Sequence, residues 1–188
     1  MAIQILGGKC RVIEEGNSGR TTGIDDPTRI GRNGLDYLPA CLDSHVPLDL
    51  VIFMLGTNDL KQKYQPSPEA ITLRMQKLVQ VTQSICGLPS IQILVLSPPI
   101  IKPRPDVIGE CSYPEAVPYS RALCTSYEQM CKIERVHFMN AALYVDTSEL
   151  DGGHFDEQNH NRLAVAVWDR IQKILSLASN DKCIHPDS

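Results

Sequence analysis

Two continuous apolar runs along the chain predict the buried strands of a parallel sheet. The first, LDLVIFML, spans residues 48–55, and the second, IQILVLS, spans residues 91–97. Both runs are rich in branched aliphatic side chains, which is typical of strands that are covered on both faces. Two shorter runs, CRVIEE at residues 10–15 and RVHFMN at residues 135–140, predict further strands.

Helical periodicity separates these strands. The clearest helix begins with Ser67 as its N-cap and Pro68 at its first position, and it ends before Gly87. Residues 1–6 predict the last turn of another helix, which the glycines at positions 7 and 8 would cap. Further helices are predicted over about residues 35–44, 119–132 and 157–177.

The alternation of strands and helices predicts an α/β fold, a three-layer α/β/α sandwich with a parallel sheet. The length of 188 residues fits one domain, and residues 179–188 are expected to form a frayed tail. Ligands of such sheets bind at the carboxyl ends of the strands. The loops GNSGRTT, GTND and DGGH each follow a predicted strand, so we expect them to converge on one edge.

The composition narrows the classes of partner. Hydrophobic residues make up 43% and charged residues 21%, as in ordinary globular proteins. The net charge is −4 and the basic residues are scattered, which argues against nucleic acid as a partner. No apolar run approaches the length of a membrane span, so no membrane partner is expected.

The cysteines and the printed N-terminus bear on the cellular compartment. The seven cysteines form no CxxC pair and no zinc-ligand spacing, and we interpret them as reduced thiols. MAIQILGGK lacks the basic start, long apolar centre and cleavage site of a signal peptide. Together these features predict a cytoplasmic location.

Asp151 and His154 could form an acid–base pair. The carboxylate lies three residues before the imidazole, close enough to keep one ring nitrogen protonated and to stabilise the imidazolium. By spacing alone, a turn-capping aspartate beside a surface histidine is the more common arrangement. A metal site built from Asp151, His154 and His160 is less well supported, because no third strong ligand is evident.

Two other loops offer hydrogen-bond donors. In GTND, Gly56 permits a tight turn and the amide of Asn58 could stabilise an oxyanion, although an ordinary turn would look the same. In GNSGRTT, the backbone N–H of Gly19 could approach a ligand closely. Ser18 in the same loop does not lie in a G-x-S-x-G elbow.

Taken together, the sequence resembles the SGNH hydrolases, also called GDSL esterases. GNSGRTT, VIFMLGTND and DGGHFDEQNH occur in the order and relative spacing of three of that superfamily's four signature blocks. The similarity runs from about Lys9 to the final helix and looks most like the arylesterase and acyltransferase branch. It implies a flavodoxin-like sheet and small-molecule esters as substrates, with no metal or organic cofactor.

The resemblance also implies a role for each site residue. Gly19 and Asn58 match the two oxyanion-hole donors, the first through its backbone N–H and the second through its side-chain amide. His154 matches the general base that later acts as an acid, and Asp151 matches its carboxylate partner. A homo-oligomer is also compatible with the resemblance, since assemblies occur among such relatives. By its position and length alone, the proline-rich loop over residues 98–118 is a candidate for a substrate-covering or oligomer-contact element, and the alternative is a simple surface excursion.

The family's first block, a strand that ends in GDS and carries the nucleophilic serine, should lie before Gly7 and Gly8, and the sequence begins too late to contain it. We therefore expect an N-terminally truncated domain over residues 1–188 that lacks the nucleophile and the central first strand. One alternative is a catalytically inactive binding or assembly subunit of the same fold. Another is an enzyme that uses Ser18.

Overall fold

The computed structural model describes residues 10–87, 91–102, 106, 113 and 115–184, with the backbone alone at residues 116 and 177–184. Its strands are β1 (Leu50–Phe53), β2 (Gln92–Ser97) and β3 (His137–Asn140). Its α-helices are α1 (Gly34–His45), α2 (Pro68–Cys86), α3 (Ala116–Glu134) and α4 (Glu157–Ile184).

The three strands form one parallel sheet in the order β1-β2-β3. Ile52 lies beside Leu94 in the register of the first pair, and Leu94 lies beside His137 in that of the second. Each parallel connection contains a helix, α2 before β2 and α3 before β3. The structure thus confirms the predicted α/β fold, with a parallel sheet between helices.

The central strand β2 divides the core into two hydrophobic clusters. Ile93 and Val95 pack with α1, α2 and α3 on one face of the sheet. Leu94 and Leu96 pack with α4 on the other face. Because successive side chains of a strand point to opposite faces, β2 must be apolar on both faces, as residues 93–96 are.

Local signals in the sequence set the helix ends. The side chain of Ser67 accepts the N–H of Ala70 at the start of α2, and Gly87 ends that helix with a positive φ of 78°. The side chain of Asn33 caps α1 by accepting the N–H groups of Leu35 and Asp36. These caps satisfy backbone groups that a helix leaves without internal partners.

Several predicted elements differ in the structure. Residues 11–15 do not form a strand, because no described strand lies beside them to complete a ladder of hydrogen bonds. The predicted strand over residues 48–55 is shorter, and it is not buried on both faces, since Ile52 is 41% and Met54 is 40% exposed. Helices α3 and α4 are longer than predicted, and α4 continues to Ile184.

Some predictions fall on residues outside the described ranges. These are the helical turn over residues 1–6, most of the loop over residues 98–118, and the last four residues of the expected tail. In the described part of the chain, no helix has both the length and the apolar character needed to cross a membrane.

The exposure of Ile52 on β1 leads to a stability prediction, in which Ile52 is compared with its neighbour on β2. Ile52 and Leu94 are neighbours in the register, but Leu94 is fully buried. We expect Leu94→Ala to lower the free energy of unfolding by about 2–5 kcal/mol, because it leaves a cavity. Ile52→Ala should lower it by less than about 1.5 kcal/mol, since much of the side chain is already in water. Urea unfolding of both variants measures the difference, and equal losses would show that Ile52 is covered in solution.

Candidate active site

The predicted site residues lie in loops at the carboxyl ends of the strands. The turn that carries Asn58 follows β1, and the loop that carries Asp151 and His154 follows β3. Lys102, beyond the end of β2, donates its backbone N–H to the carbonyl of Gly152 at 2.9 Å. This bond brings the chain segments that follow β2 and β3 together at one edge of the sheet.

Asp151 and His154 form the acid–base pair that their spacing suggests. The ring Nδ1 of His154 lies 2.6 Å from Oδ2 of Asp151. The other carboxylate oxygen accepts the backbone N–H groups of His154 and Gly153, each at 2.9 Å. Gly152 has a left-handed φ of 68°, which lets the loop turn between the two partners.

These contacts keep the Asp151 carboxylate ionised. The backbone N–H groups of His154 and Gly153, followed by the His154 side chain, lower the pKa of Asp151 to about 2. The ionised carboxylate can hold the imidazole in one orientation and balance a positive charge on it. The His154 side chain is 84% exposed, so its ring is accessible from solvent.

Asn58 and Gly19 are brought together on the other side of the site. Nδ2 of Asn58 donates to the carbonyl of Arg20 at 3.1 Å, and its Oδ1 accepts Nζ of Lys61 at 2.9 Å. These two bonds fix the orientation of the amide while engaging only one of its two N–H hydrogens with Arg20. The second hydrogen can therefore serve a ligand beside the Gly19–Arg20 segment.

Position 19 requires glycine. Its φ of 81° is left-handed, and a Cβ there would lie 2.7 Å from Nη1 of Arg29. The same arginine donates to the carbonyl of Ser18 at 2.7 Å, and Arg20 N donates to the carbonyl of Asn17. The backbone turn that presents Gly19 is thus held from both sides.

A buried carboxylate joins the loop of Gly19 to the turn of Asn58. Asp59 has no exposed surface, and its two oxygens accept the backbone N–H of Thr22 at 3.1 and 3.0 Å. The hydroxyl of Thr22 also donates to Asp59, and Nε of Arg74 in α2 donates to that hydroxyl oxygen at 3.1 Å. Burial raises the pKa of Asp59, against the lowering effect of the Thr22 bonds and the charge of Arg74.

A second carboxylate connects the same two segments. Asp26 accepts Nζ of Lys63 at 2.8 Å and the hydroxyl of Tyr64 at 3.0 Å. Its other oxygen accepts the backbone N–H and hydroxyl of Thr28. The hydrogen bond from Lys63 is the main reason that the pKa of Asp26 lies well below its usual value. The Gly19 loop is therefore bonded to the GTND turn at Asp59 and to the chain just after that turn at Lys63.

Gly56 is the third constrained position near the site. Its φ is 117°, and a Cβ there would lie 2.8 Å from the hydroxyl oxygen of Tyr127. That buried hydroxyl donates to the carbonyl of Leu55, two residues beyond the end of β1. The glycine of GTND thus lets the backbone turn directly beneath a tyrosine of α3.

The described contacts group the predicted residues in two pairs, Gly19 with Asn58 and Asp151 with His154. His160 does not join Asp151 and His154 in a ligand group within the described residues, and its ring packs edge-on against Phe155. Sequence reasoning missed Thr22, Arg74 and Asp26 as supports of the site. Their partners lie far along the chain, so no local spacing marks them.

The chain belongs to the GDSL-like lipase/acylhydrolase family, whose model matches residues 4–187. It is similar to the aryl esterase of M. smegmatis, with 38% identity over 92% of this chain and 82% of that one, and a TM-score of 0.85. The inhibitor-bound form of that esterase matches with a TM-score of 0.83, at the same identity and coverage. No curated protein sequence gives a significant match.

A carbohydrate acetylesterase from Sinorhizobium meliloti is also similar. Its identity is 36%, its TM-score is 0.85, and the match covers 92% of this chain and 83% of that one. These matches confirm the SGNH family and the fold that the sequence predicted.

Removing the buried carboxylate of Asp59 should loosen the support of the site. We expect Asp59→Asn to lower the free energy of unfolding by about 1–3 kcal/mol, because one of the two oxygens that accept from Thr22 is replaced by a donor. Asp43→Asn, an exposed change of the same size on α1, should have an effect within about 0.5 kcal/mol. Urea unfolding of both variants provides the test, and equal stabilities would contradict a supporting role for Asp59.

Asp26 should contribute stability that depends on pH. Its pKa is lower in the folded state than in the unfolded chain, so its stabilisation is present above about pH 4 and is lost as the pH falls further. We therefore expect Asp26→Asn to be less stable than the original protein at pH 7, by a margin that shrinks towards pH 3. Urea unfolding at several pH values measures this margin, with the exposed Asp25→Asn as control. A margin that does not change with pH would contradict the assignment.

Proposed function

We propose that this protein is an SGNH-type carboxylic-ester hydrolase or acyltransferase that acts by a Ser-His-Asp mechanism. The observation that carries the proposal is the 2.6 Å contact between His154 and Asp151, in a chain that belongs to an acylhydrolase family. Similarity to aryl esterases, one of them solved with an inhibitor, supports a small-molecule ester as substrate.

His154 is the general base in this proposal. Its Nε2 accepts the proton of a serine hydroxyl while the serine oxygen bonds to the ester carbonyl carbon. The ionised Asp151 balances the positive charge on the imidazolium. His154 then gives the proton to the leaving oxygen as the ester C–O bond breaks, which leaves an acyl-serine. Water or an alcohol releases the acyl group in the second half of the reaction.

Gly19 and Asn58 stabilise the negative oxygen of the tetrahedral intermediate. The second amide hydrogen of Asn58 and the backbone N–H of Gly19 are the proposed donors. Because Asp59 and Asp26 fix their two loops to each other, the donors need little reorganisation during the reaction. Each such donor contributes on the order of 10²–10³-fold in rate.

The proposal places the nucleophilic serine on a strand that is not among the described strands. Such a strand would pair with the open edge of β1, where Ile52 and Met54 expose an apolar face beside the buried β2. It would end at the same edge of the sheet as β1 and so deliver its serine towards His154. A single domain over residues 1–188 and a cytoplasmic location belong to the same proposal.

A second candidate function is that of an inactive binding or assembly subunit with the same fold. One observation favours it: within residues 10–87, 91–102 and 115–176, no serine hydroxyl or cysteine thiol is bonded to the His154 ring. The arrangement of Asn58 and Arg20 would then serve to bind an ester or carboxylate group without cleaving it. A homo-oligomer is compatible with this role and with the enzymatic one.

The decisive experiment compares the printed chain with the protein encoded when the reading frame before the Met1 codon is included. If that frame encodes a strand followed by Gly-Asp-Ser, the longer protein should hydrolyse p-nitrophenyl acetate. In the longer protein, Asn58→Ala should lower kcat by about 10²–10³-fold, because one oxyanion donor is lost. His154→Ala should lower it at least as far.

Asn161→Ala, on the exposed surface of α4, is the matched control and should retain full activity. Equal hydrolysis rates for the original protein and for His154→Ala would reject the hydrolytic mechanism and favour the binding subunit. Activity of the printed chain that disappears with Ser18→Ala would instead identify Ser18 as the nucleophile.

A further inference from the structure

A mixed cluster of metal-binding side chains lies on α1, outside the proposed active site. The carboxylate of Glu15, the thiol of Cys41 and the imidazole of His45 have ligand atoms that all lie within 4.8 Å of one another. Oε1 of Glu15 and Nε2 of His45 are 2.8 Å apart. Oxygen, sulfur and nitrogen donors of these three kinds are the ones that bind zinc in proteins.

The helix itself brings two of the ligands together. Tyr37, Cys41 and His45 are spaced four residues apart, so their side chains lie on one face of α1. Glu15 reaches this face from the extended segment that precedes the Gly19 loop, and its other oxygen accepts the hydroxyl of Tyr37. The site therefore needs no folding step beyond those that form α1 and position this segment.

A simple ion pair explains only part of the cluster. The contact of Glu15 with His45 and Tyr37 would attach the extended segment to α1 without any metal. It does not account for the Cys41 thiol, whose sulfur lies within 4.8 Å of the ligand atoms of both Glu15 and His45.

We propose that Glu15, Cys41 and His45 bind one zinc-like divalent cation, with water as the fourth ligand. Tetrahedral zinc with bonds of about 2.0–2.3 Å separates its ligand atoms by about 3.2–3.8 Å. The present separations approach that range, so small side-chain rotations complete the site. The carboxylate and thiolate together balance the charge of the cation. The side chains of Glu15 and His45 are 37% and 29% exposed, which leaves the site open to ions from solvent.

The cation would act on the position of the Gly19 loop and not as a catalyst. Glu15 lies four residues before Gly19, and binding would fasten this part of the chain to α1. Arg20 strengthens the same connection, because its guanidinium lies 3.9 Å from the centre of the Tyr37 ring. The carbonyl of Arg20 accepts the amide of Asn58, so the metal site and the oxyanion donors share one short segment.

The spacing of Cys41 and His45 on a predicted helix was visible in the sequence, but Glu15 lies 26 residues before Cys41 and gave no local signal. The spacing of the seven cysteines, which form no CxxC pair, indicated no zinc site. That conclusion applies to ligands that are close in sequence, whereas the third ligand here comes from another segment of the fold.

Cobalt(II) titration of the tag-free protein, treated first with a chelator, tests the proposal. We expect one cobalt ion to bind, with the near-ultraviolet charge-transfer band of a cobalt–thiolate bond, and zinc to displace it. Cys41→Ser should remove the band, and His45→Ala should weaken binding by on the order of tenfold or more. Cys86→Ser alters a half-buried thiol on α2 outside the cluster and should change neither result.

Alkylation of the original protein provides a second measurement that needs no variant. Zinc should protect Cys41 from a thiol reagent while Cys10 reacts at an unchanged rate, as read by mass spectrometry of the peptides. A cobalt–thiolate band that survives in Cys41→Ser, or that is lost in Cys86→Ser, would overturn the proposal. Equal alkylation of Cys41 with and without zinc would overturn it as well.

Discussion

The buried carboxylate of Asp59 is the interaction on which the geometry of the site depends. A charge without partners in such a place costs several kcal/mol, so the carboxylate is acceptable only while Thr22 and Arg74 remain bound to it. Thr22 belongs to the loop of Gly19, and Asp59 belongs to the turn of Asn58. The two loops therefore cannot separate without leaving a buried charge unpaired. This penalty holds together the two loops that carry the proposed oxyanion donors.

The contact between Asp59 and Arg74 also connects the site to the hydrophobic core. Arg74 lies on α2, whose apolar face packs against β2 together with α3. Tyr127 of α3 fixes the end of β1 by donating to the carbonyl of Leu55, and Gly56 provides the space for that tyrosine. The turn that carries Asn58 is thus supported by two helices. An oxyanion hole benefits from such rigidity, because its donors act best when they need no rearrangement.

The sequence predicted the features that depend on contacts between residues close together along the chain. It did not predict the contacts between residues far apart along the chain. Ser67 and Gly87 mark the ends of α2 by bonds within a few residues, and Asp151 and His154 lie within one turn, so both were visible as local patterns. The Asp59–Thr22 contact joins positions 37 residues apart, and no spacing rule reveals it. The open face of β1 was also missed, because an apolar run shows that a strand can be covered but not that a neighbour is present.

The two halves of the site are supported very differently. Gly19 and Asn58 are attached to the helical core through buried charges, whereas Asp151 and His154 lie on a short turn that is exposed to solvent on one side. The backbone bonds of that turn include Ser148 N to the carbonyl of His154, and one bond, from Lys102 N to the carbonyl of Gly152, connects it to the segment after β2. On heating, the histidine turn should loosen before the sheet unfolds, because its bonds at Asp151 are exposed to solvent. Loss of the Asp151–His154 contact at temperatures below the cooperative unfolding transition is the consequence of this unequal anchoring.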